Sequence, residues 1–414
     1  MKNFNTVTGT KEFGPLEMSA RQEIIDIIRK VYVSNGFSLI KTPILERLDL
    51  LCRGDSGDNS KLMFKTIKRR DKLVLDKANL TEDDIVEEGL RYDLTVPLCR
   101  YYCNNRNDLL LPFKSIQIDE VFRAEKPQRG RYRQFTQCDV DIIGEPSGIA
   151  EIELLVTAID AYRAVGIPAN VEIAINNRKL LVEVIKHFGF DDGCINAINI
   201  SLDKLDKIGA DGVVSELERQ GLDYNNTRSL VDTIVEIKQV GIDKVKELGI
   251  SASVVDELVY VIEGVKALRP DANIHFDITV VRGQGYYTGT VYEVFAKELG
   301  YRSALGGGGR YDKMIGEFGG ESVPAVGFSI GLESVMVIMT EQNKLINPKK
   351  LALVYSDVDA VTVLKVKDSL KKTFDVTILP KQKNFKAQIE KLRNNGYDKL
   401  IKFEQGIVSS IRDI

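Results

Sequence analysis

The chain has 414 residues, 43% of them hydrophobic, and a formal net charge of −3, so it can bury more than one core and a multidomain enzyme is the expectation. Charge so near balance excludes a generally cationic nucleic-acid coat, and any nucleic acid must be met by a local basic surface. With His187 and His275 as the only histidines, neither in a recognisable catalytic setting, Ser-His-Asp, Cys-His and His-rich metal chemistries are set aside.

Met1 to Thr10 lack the charged start and apolar stretch of a secretory signal, and no apolar run is long enough to span a bilayer, so the expected compartment is the cytoplasm. From Pro15 to Asn35, apolar residues recur at helical spacing (Ile24, Ile25, Ile28, Val31, Tyr32); Gly36 ends the helix, and FSLIKTPILE reads as a strand. Lys65 to Lys72 is a charge run expected as a solvated loop, and DKANLTEDDIVEEG follows as an insertion without an assigned role. Cys99 and Cys103 fall on one helical face. With Cys52, Cys138 and Cys194 scattered, all five are read as reduced thiols, and no metal site is expected.

The segment from Phe122 to Gly144 gathers Arg123, Lys126, Arg129, Arg131 and Arg133 within eleven positions around a reversal marked by Pro127 and Gly130, and over those positions only Glu125 opposes them. From Arg131 onward, a period of two sets Arg133, Phe135, Gln137, Asp139 and Asp141 on one face of a strand and Tyr132, Thr136, Cys138, Val140 and Ile142 on the other. Such a row can hold a triphosphate on arginine, stack a base on Phe135 and grip an amino acid with Gln137 and Asp141. That is equipment for activating an amino acid with ATP, although these residues alone also fit a solvated, charged edge hairpin.

Ile149 to Val165 has a helical pattern and NVEIAIN that of a strand, after which helical periodicity runs from about Arg178 to Arg269 and reads as a helical insertion. Strands return in IHFDITVVRG and YYTGTVYEVFA, followed by a glycine-rich turn, Gly306 to Gly309, and a helix containing Tyr311. After Asn347-Pro348, LALVYSD, a helix to about Lys372, DVTILP, a helix through Leu392, DKLIKFE and GIVSSIRD predict a small α/β domain with a mainly parallel sheet.

The Phe122 to Gly144 segment resembles motif 2 of the class II aminoacyl-tRNA synthetases: Phe-Arg-x-Glu, a loop, then Arg-x-x-x-Phe. EKPQ, GRYRQF and the following Gln and acid are similar to the histidyl-tRNA synthetase family in particular. RYDLTVP (Arg91 to Pro97), RGQGYYTGTVYE (Arg282 to Glu293) and GGGRYD (Gly307 to Asp312) resemble three further segments of that family, in matching order. The resemblance runs from Gly9 to about Met339 and more weakly beyond. It implies an α+β fold, a class II synthetase core with an antiparallel sheet flanked by helices, a helical insertion and a small C-terminal α/β domain. The implied boundaries are 1–177 and 271–340 for the two parts of the core, 178–270 for the insertion, which lies over the tRNA acceptor arm in the family, and 349–414 for a shortened anticodon-binding-like domain. The helix, strand and Pro43 near the start look like motif 1, which builds the dimer interface, so a homodimer is implied.

The activity implied is that of a histidine-tRNA ligase using histidine, ATP with Mg2+, and tRNA(His). Carried over by position, Arg123 holds the α-phosphate with Arg282 across from it, Glu125 and Arg131 flank the adenine and γ-phosphate, and Phe135 stacks on the base. Asp93, Thr95 and Gln137 receive the ammonium, Asp141 and Tyr287 bind the two ring nitrogens, and Tyr311 closes the pocket. Lys126 and Gln128 meet the tRNA acceptor end. Two departures stand out: Gln284-Gly285 replaces the usual Leu-Asp, and Ser334 stands where motif 3 has the arginine that holds the γ-phosphate. A non-catalytic paralogue, similar to the regulatory subunit of ATP phosphoribosyltransferase and binding histidine and a partner protein, is the alternative.

Overall fold

The computed structural model describes residues 4–53, 59–73, 75–77, 79–168, 171–250, 252–281, 285–344 and 350–414. The chain divides into two compact units, one of Met1–Lys11 with Ile27–Gln342 and the other of Glu12–Asp26 with Asn343–Ile414.

In the first unit the strands are β1 (Ser38–Leu39), β2 (Leu45–Arg47), β3 (Phe64–Ile67), β4 (Val86–Leu90), β5 (Phe113–Phe122), β6 (Gln134–Ile143), β7 (Glu172–Asn177), β8 (Asn273–Phe276), β9 (Thr290–Ala296), β10 (Tyr301–Arg310) and β11 (Ala325–Gly331). Eight of them form one sheet in the order β1-β5-β6-β11-β10-β9-β7-β8. Its central pairs are antiparallel, and only the outer pairs β1 with β5 and β7 with β8 run parallel. The period of two in β6 is realised: Cys138, Val140 and Ile142 are almost fully buried in the core, while the alternate residues turn to the opposite face. Helix Ile149–Ala164 lies against β11, and helix Leu332–Glu341 against β6 and β10.

Helices fill 178–268, as their periodicity predicts: Arg178–His187, Asp192–Leu202, Leu205–Arg219, Tyr224–Val240, Ile242–Glu247 and Ala252–Leu268. Their starts are written in the sequence, since Asn177, Asp191 and Asp223 each accept from a backbone N–H in the first turn.

Several expectations change. FSLIKTPILE is not one strand: it breaks into β1 and β2 on either side of Pro43, whose missing N–H cannot join a ladder. The charge run Lys65 to Lys72 is not simply a loop, because its start lies in β3, which joins a three-stranded sheet ordered β2-β4-β3. Part of the unassigned insertion supplies β4 and the short helix Glu82–Ile85, held by a capping box between Thr81 and Asp84. Among its described residues, IHFDITVVRG is strand only over β8.

The largest correction concerns the glycine run. Gly306 to Gly309 form no turn; they lie inside β10, and Tyr311 follows the strand in an irregular segment, not in a helix. The glycines serve close approach, because a Cβ on Gly308 would strike the Gly327 carbonyl of the neighbouring strand.

The second unit holds β12 (Lys350–Ser356), β13 (Asp375–Pro380), β14 (Tyr397–Glu404), β15 (Ile407–Val408) and β16 (Arg412–Asp413). Its central strand β12 pairs parallel with β13 and β14. Alternation on β12 serves two cores: Leu351 and Leu353 meet Val363 of helix Ala360–Leu370, whereas Ala352 and Val354 meet Leu392 of helix Phe385–Asn394. GIVSSIRD yields only the short antiparallel strands β15 and β16.

Candidate active site

The β5–β6 hairpin is in unbroken register from Phe113 opposite Ile143 to Phe122 opposite Gln134. Beyond it the chain turns at Arg129-Gly130, closed by reciprocal backbone bonds of 3.0 Å between Gln128 and Arg131. Gly130 has φ 71°, which a side chain would resist. Arg129 forms an ion pair with Glu341, tying the tip to helix Leu332–Glu341.

Next to this hairpin opens a cleft of about 1060 Å³, part of it open to solvent. On its β6 wall stand Phe135, Gln137, Asp139 and Asp141; Asp93, Thr95 and Arg123 line it nearby, with Glu125 and Arg131 from the hairpin loop. Tyr286, Tyr287, Tyr311 and the β10 glycines also line it. The structure thus brings together every described residue singled out for histidine or ATP. Arg282 lies outside the described residues. Lys126 and Gln128 are exposed on the hairpin loop and do not line the cleft. Arg133, on the same strand face by period, turns aside and donates to the carbonyls of Glu125 and Thr8.

Several of the polar side chains are fixed by hydrogen bonds. Arg123 donates from Nε to the Tyr92 carbonyl at 2.9 Å, and its guanidinium lies 5.1 Å from the Phe135 ring centre, which leaves its remaining N–H groups for an anion. Asp93 accepts from the Val96 N–H at 3.1 Å and from the Tyr286 hydroxyl at 3.3 Å. Gln137 donates from Nε2 to Ser329 Oγ at 2.7 Å. Tyr311 donates to Asp141 Oδ1 at 2.6 Å. Gly327, directly opposite Asp141, makes room for that carboxylate, since a Cβ there would collide with Oδ1.

Asp93, Asp139 and Asp141 are 2%, 4% and 3% exposed. Burial pushes all three carboxyl groups up: Asp139 rises well above the ordinary carboxylate range, with the Asp141 charge adding to it, and Asp93 rises despite the Val96 N–H. Asp141 is pushed up to about 7, chiefly by burial, with the Tyr311 bond opposing and the Asp93 charge assisting. An enclosed wall of reluctant carboxylates favours a ligand bearing positive charge and N–H donors.

At the other end, Ser334 Oγ and the Tyr301 hydroxyl are 2.9 Å apart. A Cβ on Gly130 would come within 2.6 Å of that same phenol, so Tyr301 fills the space beside the hairpin turn. Among the described lining residues the cations are Arg123 and Arg131. Glu333 accepts from the Thr136 N–H at 3.0 Å. Arg310 of GGGRYD turns away from this cleft into a bidentate, buried pair with Glu151, both contacts 2.6 Å.

Asp139, Tyr286, Ser329 and Glu333 line the cleft without having been assigned a role from sequence. Period two had already placed Asp139 on the right face; Ser329 becomes visible only once β11 is known to pair with β6, and Glu333 only once helix Leu332–Glu341 is known to pack against β6.

The histidyl-tRNA synthetase family profile matches residues 9–335. A histidine–tRNA ligase of Leifsonia xyli is 37% identical over 406 residues, covering 94% of this chain and 93% of its own. One from Porphyromonas gingivalis is 35% identical over 383 residues, covering 88% and 83%. The crystal structure of histidyl-tRNA synthetase from Nostoc sp. PCC 7120 is similar at TM-score 0.75 and 30% identity, covering 98% of this chain and 92% of that one. A Bacillus halodurans structure described as an ATP phosphoribosyltransferase regulatory subunit/histidyl-tRNA synthetase reaches the same TM-score at 18% identity, a likeness of fold alone.

Proposed function

The chain belongs to the histidyl-tRNA synthetase family, and we propose that it is a histidine–tRNA ligase. It activates histidine with ATP to histidyl-adenylate, releasing pyrophosphate, and passes the histidyl group to the terminal ribose hydroxyl of tRNA(His). The observation that carries this reading is the Asp141–Tyr311 pair in the same cleft as Arg123 and Phe135. A buried acid held by a phenol suits a ring with N–H groups and rejects apolar side chains, which would leave both polar groups unsatisfied.

In the reaction the amino-acid carboxylate attacks the α-phosphorus and pyrophosphate leaves. Arg123, held by the Tyr92 carbonyl, stabilises the charge that shifts onto the phosphate oxygens, and a fixed cation does so without reorganising. Arg282 shares this task by its place in the family pattern. Phe135 stacks on adenine while Glu125 and Arg131 flank the base and γ-phosphate. Asp93, Thr95 and Gln137 take the ammonium, Asp141 and Tyr287 the ring, and Tyr311 closes the pocket. Lys126 and Gln128, exposed on the loop, meet the acceptor end of the tRNA. Mg2+ accompanies the ATP; Glu125 and Glu333 line the cleft with hard oxygen donors of the kind it takes, and bound there it would neutralise triphosphate charge.

We assign the protein to the cytoplasm and to a homodimer. No described helix is long and apolar enough to cross a membrane. The regulatory alternative is not favoured, because relatives matching across 94% of the chain are histidine–tRNA ligases. Histidine-dependent ATP–pyrophosphate exchange followed by charging of tRNA(His) is the test. Both should occur; exchange without charging would remove the transfer step, and absence of both would remove the ligase reading.

A further inference from the structure

A second cavity of about 1050 Å³, part of it open to solvent, shares no described lining residue with the active-site cleft. It lies where the helical insertion is rooted in the core. Asn177 and Lys179 stand at the start of helix Arg178–His187, and Asp256, Glu257 and Tyr260 belong to helix Ala252–Leu268. On the core side Arg310 stiffens the wall, bonded to Glu151, to Asp312 and to the carbonyls of Glu145 and Ser147. A Cβ on Gly148 would come within 3.0 Å of the Tyr260 ring, so this glycine lets Tyr260 lie close against the start of helix Ile149–Ala164.

Asn177 is fully buried, and its Nδ2 has no acceptor. The amide cannot turn to find one. Its Oδ1 caps helix Arg178–His187 by accepting from the Lys179 backbone N–H at 3.0 Å, and a flipped amide would set an NH2 group against that donor. A buried donor held this way is costly to the folded protein unless a ligand supplies the acceptor. Charge adds a second constraint. Arg310 is matched by Glu151 and Asp312, whereas Lys179, Asp256 and Glu257 are exposed and, among the described residues, form no ion pair. One open cation and two open carboxylates do not suit a polyanion such as an RNA backbone.

We propose that this cavity binds a small zwitterion of the amino-acid or short-peptide class, its carboxylate on Asn177 Nδ2 and Lys179 and its ammonium on Asp256 and Glu257. A carboxylate has one oxygen for each of the first two donors, and an ammonium carries the three N–H groups that a pair of acceptors can share. The volume is on the scale of small-molecule sites. Because the two sets of groups stand on the first and last helices of the insertion, a bound zwitterion ties those helices together at their root. The assignment does not depend on the histidine reading.

The probes are glycylglycine, N-acetylglycine, which keeps only the carboxylate, and glycylglycinamide, which keeps only the ammonium. Calorimetric titration of the full chain should show glycylglycine binding at millimolar concentration, with each single-charge analogue weaker by about 3- to 10-fold. Binding should persist with histidinol and ATP present. Lys179→Ala should weaken glycylglycine by about 3- to 10-fold and leave glycylglycinamide unchanged, and the double change Asp256→Asn, Glu257→Gln should weaken glycylglycine likewise and leave N-acetylglycine unchanged. Asn177→Asp keeps the helix cap but turns the donor into an acceptor, and should remove detectable binding of both carboxylate-bearing probes. If that variant does not fold, the surface variants decide by the same split. No glycylglycine binding by the wild type, equal binding of all three probes, displacement by histidinol and ATP, or losses that do not follow the charge removed would each overturn the proposal and leave the ligase reading untouched.

Discussion

Tyr311 reaches from the segment after β10 to the middle of β6, where its hydroxyl donates to Asp141 Oδ1 at 2.6 Å. The phenol is 1% exposed and the carboxylate 3%, so neither has water to replace the other. Tyr311→Phe should therefore leave a buried carboxylate short of a donor and raise the histidine KM by about 10-fold or more. Steady-state exchange at varied histidine measures this, and a change confined to the ATP KM would count against the pairing.

The same carboxylate couples stability to pH. Asp141 has its folded pKa raised from 3.8 to about 7, so between those values the folded protein holds a proton that the unfolded chain gives up. The contribution is fully present below pH 3.8 and lost as pH rises through about 7. Asp141→Asn should remove up to about 1.4 kcal/mol per pH unit of this slope in the ligand-free protein. Urea unfolding at pH 5, 6, 7 and 8 measures the slope; a steeper fall in the variant would contradict the sign. Asp93 and Asp139, also raised by burial, leave a residual slope.

With Ser334 engaged by Tyr301, the load of a triphosphate falls on arginines. Arg131→Ala should raise the ATP KM by about 10- to 100-fold and leave the histidine KM within about twofold. Ser334→Ala, removing one hydroxyl from a neutral pair, should change the ATP KM by less than about threefold. Exchange at varied ATP separates the two, and equal effects would mean that the hydroxyl pair itself carries phosphate.

Arg123 is expected to act on the transition state. Arg123→Ala should lower kcat for exchange by about 100- to 1,000-fold. Lys68→Ala, which loses an exposed bond to the Asp83 carbonyl outside the cleft lining, should be close to wild type. Arg282→Ala should fall with Arg123→Ala.

Arg310 and Glu151 carry a structural prediction. Their buried bidentate pair lies away from the cleft's chemistry, and Glu151→Ala should destabilise the fold by about 1.5–3 kcal/mol, since the guanidinium loses its two shortest bonds but keeps Asp312 and the carbonyls of Glu145 and Ser147 as partners. Chemical unfolding gives the number. The fraction that remains folded should keep its KM values.

Much of the fold was legible where one period rules an element. The β6 row, the helices from Arg178 to Leu268 and the alternating strand β12 followed from spacing alone. Position along the chain cannot give cross-strand neighbours, so Ser329 had no assigned role until β11 was set beside β6. Gly306 to Gly309 misled because glycine is a turn residue by propensity, and here tertiary closeness to Gly327 overrides it. Strands β3 and β4 were missed because they are short and carry charges, which local reasoning gives to solvent, and β2 was merged with β1 into one strand. The cleft itself assembles segments from Asp93 to Ser334, and only the recurrence of family-like motifs linked them in advance.

The space above Gly327, taken by the Asp141 carboxylate, ties two positions together for any future redesign. A methyl group there would land on the Asp141 carboxylate, so residue 327 cannot grow while residue 141 stays acidic. Changing which amino acid the protein selects would have to begin at 141, with 327 following: a shorter or neutral group first, and only then a side chain from the facing strand to occupy the volume released. Libraries that vary one of the two sites at a time would sample mostly collapsed or blocked pockets, and paired variation is the route that geometry leaves open.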